Sequence, residues 1–560
     1  MDSTPHGKMI VPEEGTISPV RVFLHFAISF ITTYWAILLP VFLVSRMLYR
    51  RYATPLRSLP GPFFASCTRL WKIRSVISEN TQWHHVDLHR TYGPVVRIGP
   101  NEVSFSSPHV ARNILSAGKR FYKTDFYTVF PPPEHPDIFT EVREDVHAMK
   151  KKVANVPYSM AAMRQLSPFI DDTIELLVTR MGAFCTDAAT EPPKETAAAT
   201  AGGEGGPLGG GKKPRPVIDL GEWLHFFAFD VLGEVAFGRS FGFLAAGADK
   251  ERAIRVIDNS QKYNGIIGQV PELDIFLRRN PVCKYIPALD PANNLITRIA
   301  REEMAKRRPF EIEREGKGAG GDGREDLMAS LIKGHLKDPS KFQEEDIFAV
   351  AHGAIFAGSD STASTMQSFF WLTLTAPRVL ATLKAEVDAA VAAGAIPASG
   401  NVEWTQAQGL SYFQACLKEA MRLRPAVGLN ITRLAPAPDG VEIDGRHYPA
   451  GTRLAVNGWV LHRDKAVFGA DAEFFRPERW LEDEESARVM ERFMFQFGGG
   501  AHVCIGRNLA LLEINKVCPR LLRDFDFHLV NPTRELRAKA TFFVVQDGLQ
   551  VYISRRDRRV

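Results

Sequence analysis

Between Val22 and Ser45 the chain carries 24 consecutive residues without Asp, Glu, Lys or Arg. That is long enough to cross a bilayer as one helix. Arg46, Arg50, Arg51 and Arg57 follow it, against only Lys8 and Arg21 before it. The asymmetry places everything after residue 45 in the cytosol and leaves residues 1–21 as a short luminal tail. The run is too long for a cleaved signal peptide and lacks a small-residue cleavage site, so an uncleaved anchor over 22–45 is expected. Leu59-Pro60-Gly61-Pro62 then stiffens the chain, which makes 46–62 a basic, proline-rich hinge. Val95 to Ser104 reads as two short strands broken at Gly99-Pro100. A helical pattern begins at Asp145, where His147 and Lys151 share a face, and another spans Asp219 to Phe237. Residues 186–216, rich in Ala, Gly and Pro, cannot bury a core and are expected as a flexible surface insertion. The Gly-rich stretch 315–322 reads as a loop.

Pro339-Ser340 followed by Gln343 predicts a helix start with a capping box. The next segment, EEDIFAVAHGAIFAGSDSTASTMQSFFW, is apolar on nearly every face, the mark of a helix buried in a large core. Within it Gly358 costs about 1 kcal/mol relative to Ala, and Asp360 buries a carboxylate, which is costly without partners or a task. These faults cluster between Ala357 and Ser361. A Ser or Thr hydroxyl there can bond the carbonyl four residues back and open the helix locally. Further on, Glu419 and Arg422 lie three apart on one helix face, ahead of Pro477-Glu478-Arg479-Trp480. The segment AVGLNITR reads as a strand ending at Arg433.

Composition adds limits. Hydrophobic residues at 45% and charged residues at 24% are ordinary for a globular chain with one large core. A net charge of +5 on 560 residues does not argue for nucleic acid. The six cysteines show no C-x-x-C or zinc spacing, which suits a reducing compartment. One of them, Cys504, sits between glycines in FGGGAHVCIGRNLA. At the start of a helix, backbone N–H groups and the helix dipole stabilise a thiolate. Gly500 and Gly506 let the backbone turn tightly around the sulfur. A thiolate so held suits haem iron.

The full spacing F-x-x-G-x-H-x-C-x-G, from Phe497 to Gly506, resembles the haem-binding signature of the cytochrome P-450 family. The segments AGSDS, KEAMR and PERW occur upstream in that family's order, and the likeness runs from Leu59 to the end of the chain. It implies a mainly α fold with a small β region, behind one transmembrane helix, with 63–560 as a haem-thiolate catalytic domain. Cys504 is then the axial ligand of haem b, with Phe497, Gly500, His502 and Gly506 around it. Arg433 and His502 would hold the propionates. His147 and Lys151 stand where the family has a Trp and a propionate-binding Arg; a solvated basic face with Lys150 and Lys152, or one turned to a redox partner, is the alternative. Glu419, Arg422 and Arg479 match a structural triad. Ala357 and Gly358 match an oxygen pocket, with Asp360 and Ser361 managing protons and Thr362 as a substitute hydroxyl; the common family residue at 361 is Thr.

By the same resemblance the substrate touches Phe126, Tyr127, Phe130, Ala354, Val427, Leu429, Phe542 and Phe543, a lining for an apolar, fairly large molecule. The implied reaction is insertion of one oxygen atom from O2, with electrons from NADPH through a separate reductase and cytochrome b5 as a further partner. The implied place is the endoplasmic reticulum membrane, facing the cytosol. FYKTDFYTVF and FFVVQDGLQVYI are similar to filamentous-fungal, pisatin-demethylase-like members, which implies secondary metabolism. Two alternatives are a haem-thiolate isomerase, dehydratase or peroxygenase, and a non-catalytic haem-binding protein. Asp360 beside Ser361 argues against both.

Overall fold

The structure is a computed structural model describing residues 19–116, 121–130, 135–187, 216–285, 295–316 and 325–556. The expected tail, the insertion over 186–216 and the loop over 315–322 fall largely outside these residues. The first helix, α1 (Pro19–Tyr52), is longer than the uncharged run that predicts it. Its stretch apolar and long enough to cross a membrane is Thr32–Tyr52, none of it buried against the rest of the chain. This stretch overlaps the expected anchor over 22–45.

The segment expected as a hinge is docked. Leu56 and Leu59 are buried, and the Pro60 carbonyl accepts the Arg97 N–H at 2.8 Å. A Cβ on Gly61 would lie 2.3 Å from the Arg97 carbonyl oxygen, so only glycine fits. The buried Arg97 guanidinium donates to the carbonyls of Arg50 and Arg51 at 2.8 and 2.9 Å. It satisfies orphan acceptors at the end of α1 and ties that helix to the sheet.

The helices that carry the site are α2 (Glu144–Ala154), α3 (Ser167–Asp187), α4 (Leu220–Phe237), α5 (Ala253–Ile267), α6 (Glu344–Leu374), α7 (Ser411–Leu423) and α8 (Arg507–Asp524). Asp219 caps α4 by accepting the N–H groups of Gly221 and Glu222. The cap of α6 is Gln343 in a reciprocal box with Asp346, not Ser340. Ser340 instead bonds Asp338 in the preceding turn. Helix α6 runs 31 residues through the main apolar core. Its buried polar groups find partners, as they must in a dry interior: Gln367 donates to Gly221 O at 2.9 Å, and Ser364 and Ser368 both accept from Gln546. Helix α4 lies against it closely enough that a Cβ on Gly358 would meet Leu232 at 3.1 Å.

A five-stranded sheet combines β1 (Val95–Gly99), β2 (Glu102–Phe105), β3 (Tyr122–Lys123), β4 (Ile431–Leu434) and β5 (Arg453–Val456) in the order β1-β2-β5-β4-β3. Strands β2 and β5 are parallel and the other pairs antiparallel, with Lys123 opposite Arg433. Ala538–Ala540 pairs with Val544–Gln546, and Val427 bridges to Phe543.

Glu419 and Arg422 on α7 are fully buried, and Arg479 is nearly so. The Glu419 carboxylate accepts from Arg422 Nε and Nη2, Arg479 Nε, Trp480 Nε1 and the Arg476 N–H, at 2.8 to 3.0 Å. Arg422 Nη1 donates to His462 O and Ala472 O at 2.6 Å. His462, for which the sequence suggests only a turn, is buried and accepts the Phe495 N–H at 2.8 Å on Nε2. The network therefore reaches to two residues before Phe497. Replacing Glu419 by Ala removes the carboxylate paired with buried Arg422 and leaves Arg479 with Asp471 alone. The expected loss is about 3–5 kcal/mol in denaturant unfolding followed by circular dichroism, and a loss under ~1 kcal/mol would show that the network does not hold the fold.

Candidate active site

Cys504 lies in the turn that precedes α8, three residues before the helix starts. Its N–H donates to Phe497 O at 2.8 Å, closing the loop, and Gly500 adopts φ +60° within it. Gly506 has an ordinary φ of −76°, and a Cβ there would only touch Cys504 Sγ at 3.9 Å. Its expected role as a tight-turn residue is not borne out by that geometry. Phe497 is half-buried under the Arg507 guanidinium, 5.8 Å from its ring.

Cys504 is exposed, yet burial pushes its thiol pKa up against the N–H groups of Gly506 and Arg507 and the charge of Lys151. The N–H groups at the helix start favour the thiolate, as the sequence suggests, but burial outweighs them. A metal cation at the sulfur would ionise the thiol outright.

The basic residues around the loop divide their work differently from the sequence expectation. Lys151 on α2 donates to the carbonyls of Ala501 and Val503, both at 2.7 Å, and so braces the cysteine loop. Lys150 is buried on Asp346 at 2.9 Å and on Pro136 O, so it is neither part of a solvated face nor turned to a partner. His147 and His502 stack with ring centroids 4.4 Å apart. Burial, with the charges of Lys123, Lys151 and Arg433, drives their pKa values to about 3 and about 2, so both are neutral. His502 Nε2 lies 3.0 Å from the Glu144 carboxylate, and its buried Nδ1 has no hydrogen-bond partner. His502 thus offers an unpartnered ring nitrogen rather than a charge.

A second buried cation beside Arg433, which sequence reasoning missed, is Lys123. It sits opposite Arg433 across β3 and β4. Its Nζ donates to the carbonyls of Ile138, Phe139 and Glu141, and burial followed by the charge of Arg433 lowers its pKa to about 7. Arg433 is buried and donates to Tyr127 Oη and Thr432 O, both from Nη1 at 2.9 Å. Tyr127, expected against the substrate, is therefore tied through its hydroxyl to the basic cluster.

On α6 an open strip interrupts an otherwise buried helix. Ala357 is exposed, and Gly358, Ser361 and Thr365 are half-exposed. Ser361 Oγ donates to Ala357 O, and Thr365 Oγ1 to Ser361 O, both at 2.9 Å, the back-bonding expected of such hydroxyls. Thr362 is buried, so Thr365 rather than Thr362 is the second hydroxyl on this strip. The near contact of Gly358 is with Leu232 on α4. Asp360 is buried on another face, where Oδ1 lies 2.8 Å from His225 Nε2 and Oδ2 accepts from Gln261 Nε2.

Phe126, Phe130, Leu429, Phe542, Phe543 and Ala354 are buried, and Val427 is half-buried. Phe542 is the hub of an aromatic cluster, with Phe126, Phe130, Phe139 and Phe543 at centroid distances of 5.0 to 6.2 Å.

An accessible thiol in a glycine turn, a cationic cluster beside it and a strip of small residues and hydroxyls make a donor set that fits an iron porphyrin. The thiolate suits the metal and the cations suit two carboxylates. Substituting Lys151 by Ala removes two charge-assisted bonds from the cysteine loop. It should weaken haem retention by about 1–2 kcal/mol, or roughly tenfold in the rate of transfer to a scavenging globin. An unchanged transfer rate would show that the loop holds its shape without the lysine.

The comparisons agree with this geometry. The family description for cytochrome P-450 matches residues 59–552. The chain is 33% identical over 529 residues to the cytochrome P-450 monooxygenase cicH of Emericella nidulans, covering 92% of this chain and 97% of that protein. It is 31% identical over 521 residues to a pisatin demethylase of Fusarium vanettenii (91% and 92%), and 32% identical over 530 residues to the monooxygenase gsfF of Penicillium aethiopicum (92% and 96%). From the cysteine loop to the buried Glu419 network, over nearly its whole length, this chain belongs to the cytochrome P-450 family.

Proposed function

We propose that this chain, an enzyme of the cytochrome P-450 monooxygenase kind, inserts one atom of O2 into a C–H or C=C bond of an apolar small molecule in fungal secondary metabolism. The observation that carries this reading is the accessible Cys504 thiol in its glycine turn, on a chain that also keeps Asp360 and Ser361 in the middle of α6. Haem bound through Cys504 supplies the activation of O2. The chain's own residues do the rest. Lys151 braces the loop carbonyls, while Arg433, with the charge of Lys123, offers the cationic surroundings that the propionates need. Asp360 holds a proton at its carboxylate, and the Ser361 hydroxyl hands it on from the open strip. The aromatic cluster around Phe542 excludes water and favours an apolar guest.

Electrons come from NADPH through a separate reductase, with cytochrome b5 as a further partner. Helix α1 anchors the enzyme in the endoplasmic reticulum membrane with the catalytic domain in the cytosol. Its exposed apolar surface and the arginines after residue 45 support that placement.

The test compares metabolites, by mass spectrometry, of a strain making the intact protein and one making Cys504→Ala. The mutant strain is expected to lose a product and accumulate a compound lighter by one oxygen. A compound heavier by CH2 fits the same chemistry when the oxygenated carbon is a methyl ether that departs as formaldehyde. A lost and a gained compound of equal formula would mean rearrangement and would sink the oxygenation.

A further inference from the structure

Asp360 is reached from outside by one titratable side chain. Its own side chain is 3% exposed, and that of His225, bonded to Oδ1, is 14% exposed. The other oxygen accepts from Gln261, whose Oε1 in turn accepts the Phe543 N–H at 3.0 Å. An amide carries no transferable proton at ordinary pH. Ser359, which donates to Oδ1 at 3.3 Å, is fully buried. His225 stands on α4, 135 residues before Asp360, in a run of Trp, Leu and Phe where a polar ring has no packing reason to be.

The charges that face His225 are all acidic. Glu222 is on its own helix, Asp249 precedes α5, Asp258 is on α5 and Asp360 is on α6. Asp258 is half-buried with an unpartnered Oδ1, and feels Lys539 from the strand beyond.

We propose that His225 supplies the protons that Asp360 spends, acting through that carboxylate as a positioning residue, with Asp258 as the acid that keeps it charged. The inference rests on the monooxygenase reading above, because insertion of one oxygen atom and release of the other as water consumes protons at every turnover. In the step, charged His225 gives its Nε2 proton to Asp360 Oδ1. A neutral imidazole and a neutral carboxylic acid result. The neutral imidazole, open at one edge, is recharged by water, so one solvent proton is taken up and nothing else changes. The same transfer cancels the ion-pair attraction that holds Asp360 against α4 and α5. Loading the acid therefore also frees it to turn toward Ser361 and the open strip.

The local fields agree with this direction. Burial opposes charge on His225, but the hydrogen bond and charge of Asp360 outweigh it and raise its pKa above the usual value. Burial, then the charge of Asp360, lifts Asp258 to about 7, and as Asp258 ionises its charge favours the imidazolium of His225. A raised folded-state pKa contributes stability that is complete below the unfolded value and is lost as pH rises through the folded one.

The experiment uses the full-length holoenzyme in lipid with an NADPH–cytochrome P-450 reductase, comparing wild type, His225→Gln and Asp258→Asn from about pH 5 to 8. Two quantities are read: NADPH consumed with its peroxide yield, and the thermal midpoint. Wild-type consumption is expected to fall as pH rises through the His225 pKa. His225→Gln should be flat over that window and about tenfold slower at its acid end, and Asp258→Asn should move the falling limb to lower pH. The wild-type advantage in thermal midpoint over His225→Gln should be largest in acid and shrink as pH rises. If His225→Gln shows that thermal pattern but keeps the wild-type pH profile, His225 is only a structural partner and the proposal fails. If no thermal difference appears, the ion pair itself is absent and the proposal fails. Wild-type holoenzyme that shows the thermal pattern but consumes no NADPH overturns the monooxygenase reading instead, and the relay with it. Should His225→Gln not fold, an Asp258→Asn profile left unshifted overturns the proposal.

Discussion

The catalytic domain depends on one buried carboxylate. Glu419 receives five donors, two from Arg422 on its own helix and three from the segment 476–480, which it pins to that helix. Two guanidinium groups against one carboxylate leave excess positive charge in a dry interior. The carbonyls of His462, Ala472 and Phe474 and the Asp471 carboxylate absorb it. Because His462 also receives the Phe495 N–H, the strand-poor segment leading into the cysteine loop inherits its position from that charge network. Lys151 completes the loop from the other side. Cys504 is thus placed by bonds to its neighbours' backbones rather than by packing of its own side chain.

The electrostatics around that loop are arranged for anions. Lys123 and Arg433 are buried opposite each other across two strands, and burial, then the charge of Arg433, lowers the lysine pKa. The two histidines beside them stay uncharged for the same reason. Asp137 and Glu144 are compensating carboxylates, and burial raises the pKa of both. A site with this surplus gains from two more carboxylates, which haem propionates provide.

Much of this was legible along the chain, where spacing carries the chemistry. The glycines around Cys504 mark a turn and an open sulfur. The apolar run of α6 marks a buried helix, and the Gly358–Asp360 faults mark its working stretch. What stayed hidden depends on pairing over long sequence distances. Lys123 gains its place only because a two-residue strand pairs with β4, more than 300 residues later. Arg97 looks like a strand residue and proves to cap the anchor helix through the carbonyls of Arg50 and Arg51. Spacing alone also does not reveal that Lys151 braces the carbonyls of Ala501 and Val503, or that the His502 ring lies against His147. Thr362 and Thr365 differ by less than one helical turn, yet one faces the core and the other the open strip. His225 did leave a signal: an imidazole inside an apolar helical run needs a partner, and its partner is the one carboxylate that the working stretch buries.

The central claim is that Cys504, as a thiolate, holds haem iron. It is tested most directly by the absorption spectrum of the reduced protein under carbon monoxide, for wild type and Cys504→His. A thiolate opposite the bound gas pushes electron density onto the iron and moves the main haem band far to the red. The account predicts that band in the wild type and its replacement by a shorter-wavelength, imidazole-type band in Cys504→His, with haem still bound. Haem bound to the wild type without the red-shifted band, or a red-shifted band that survives the substitution, would contradict it.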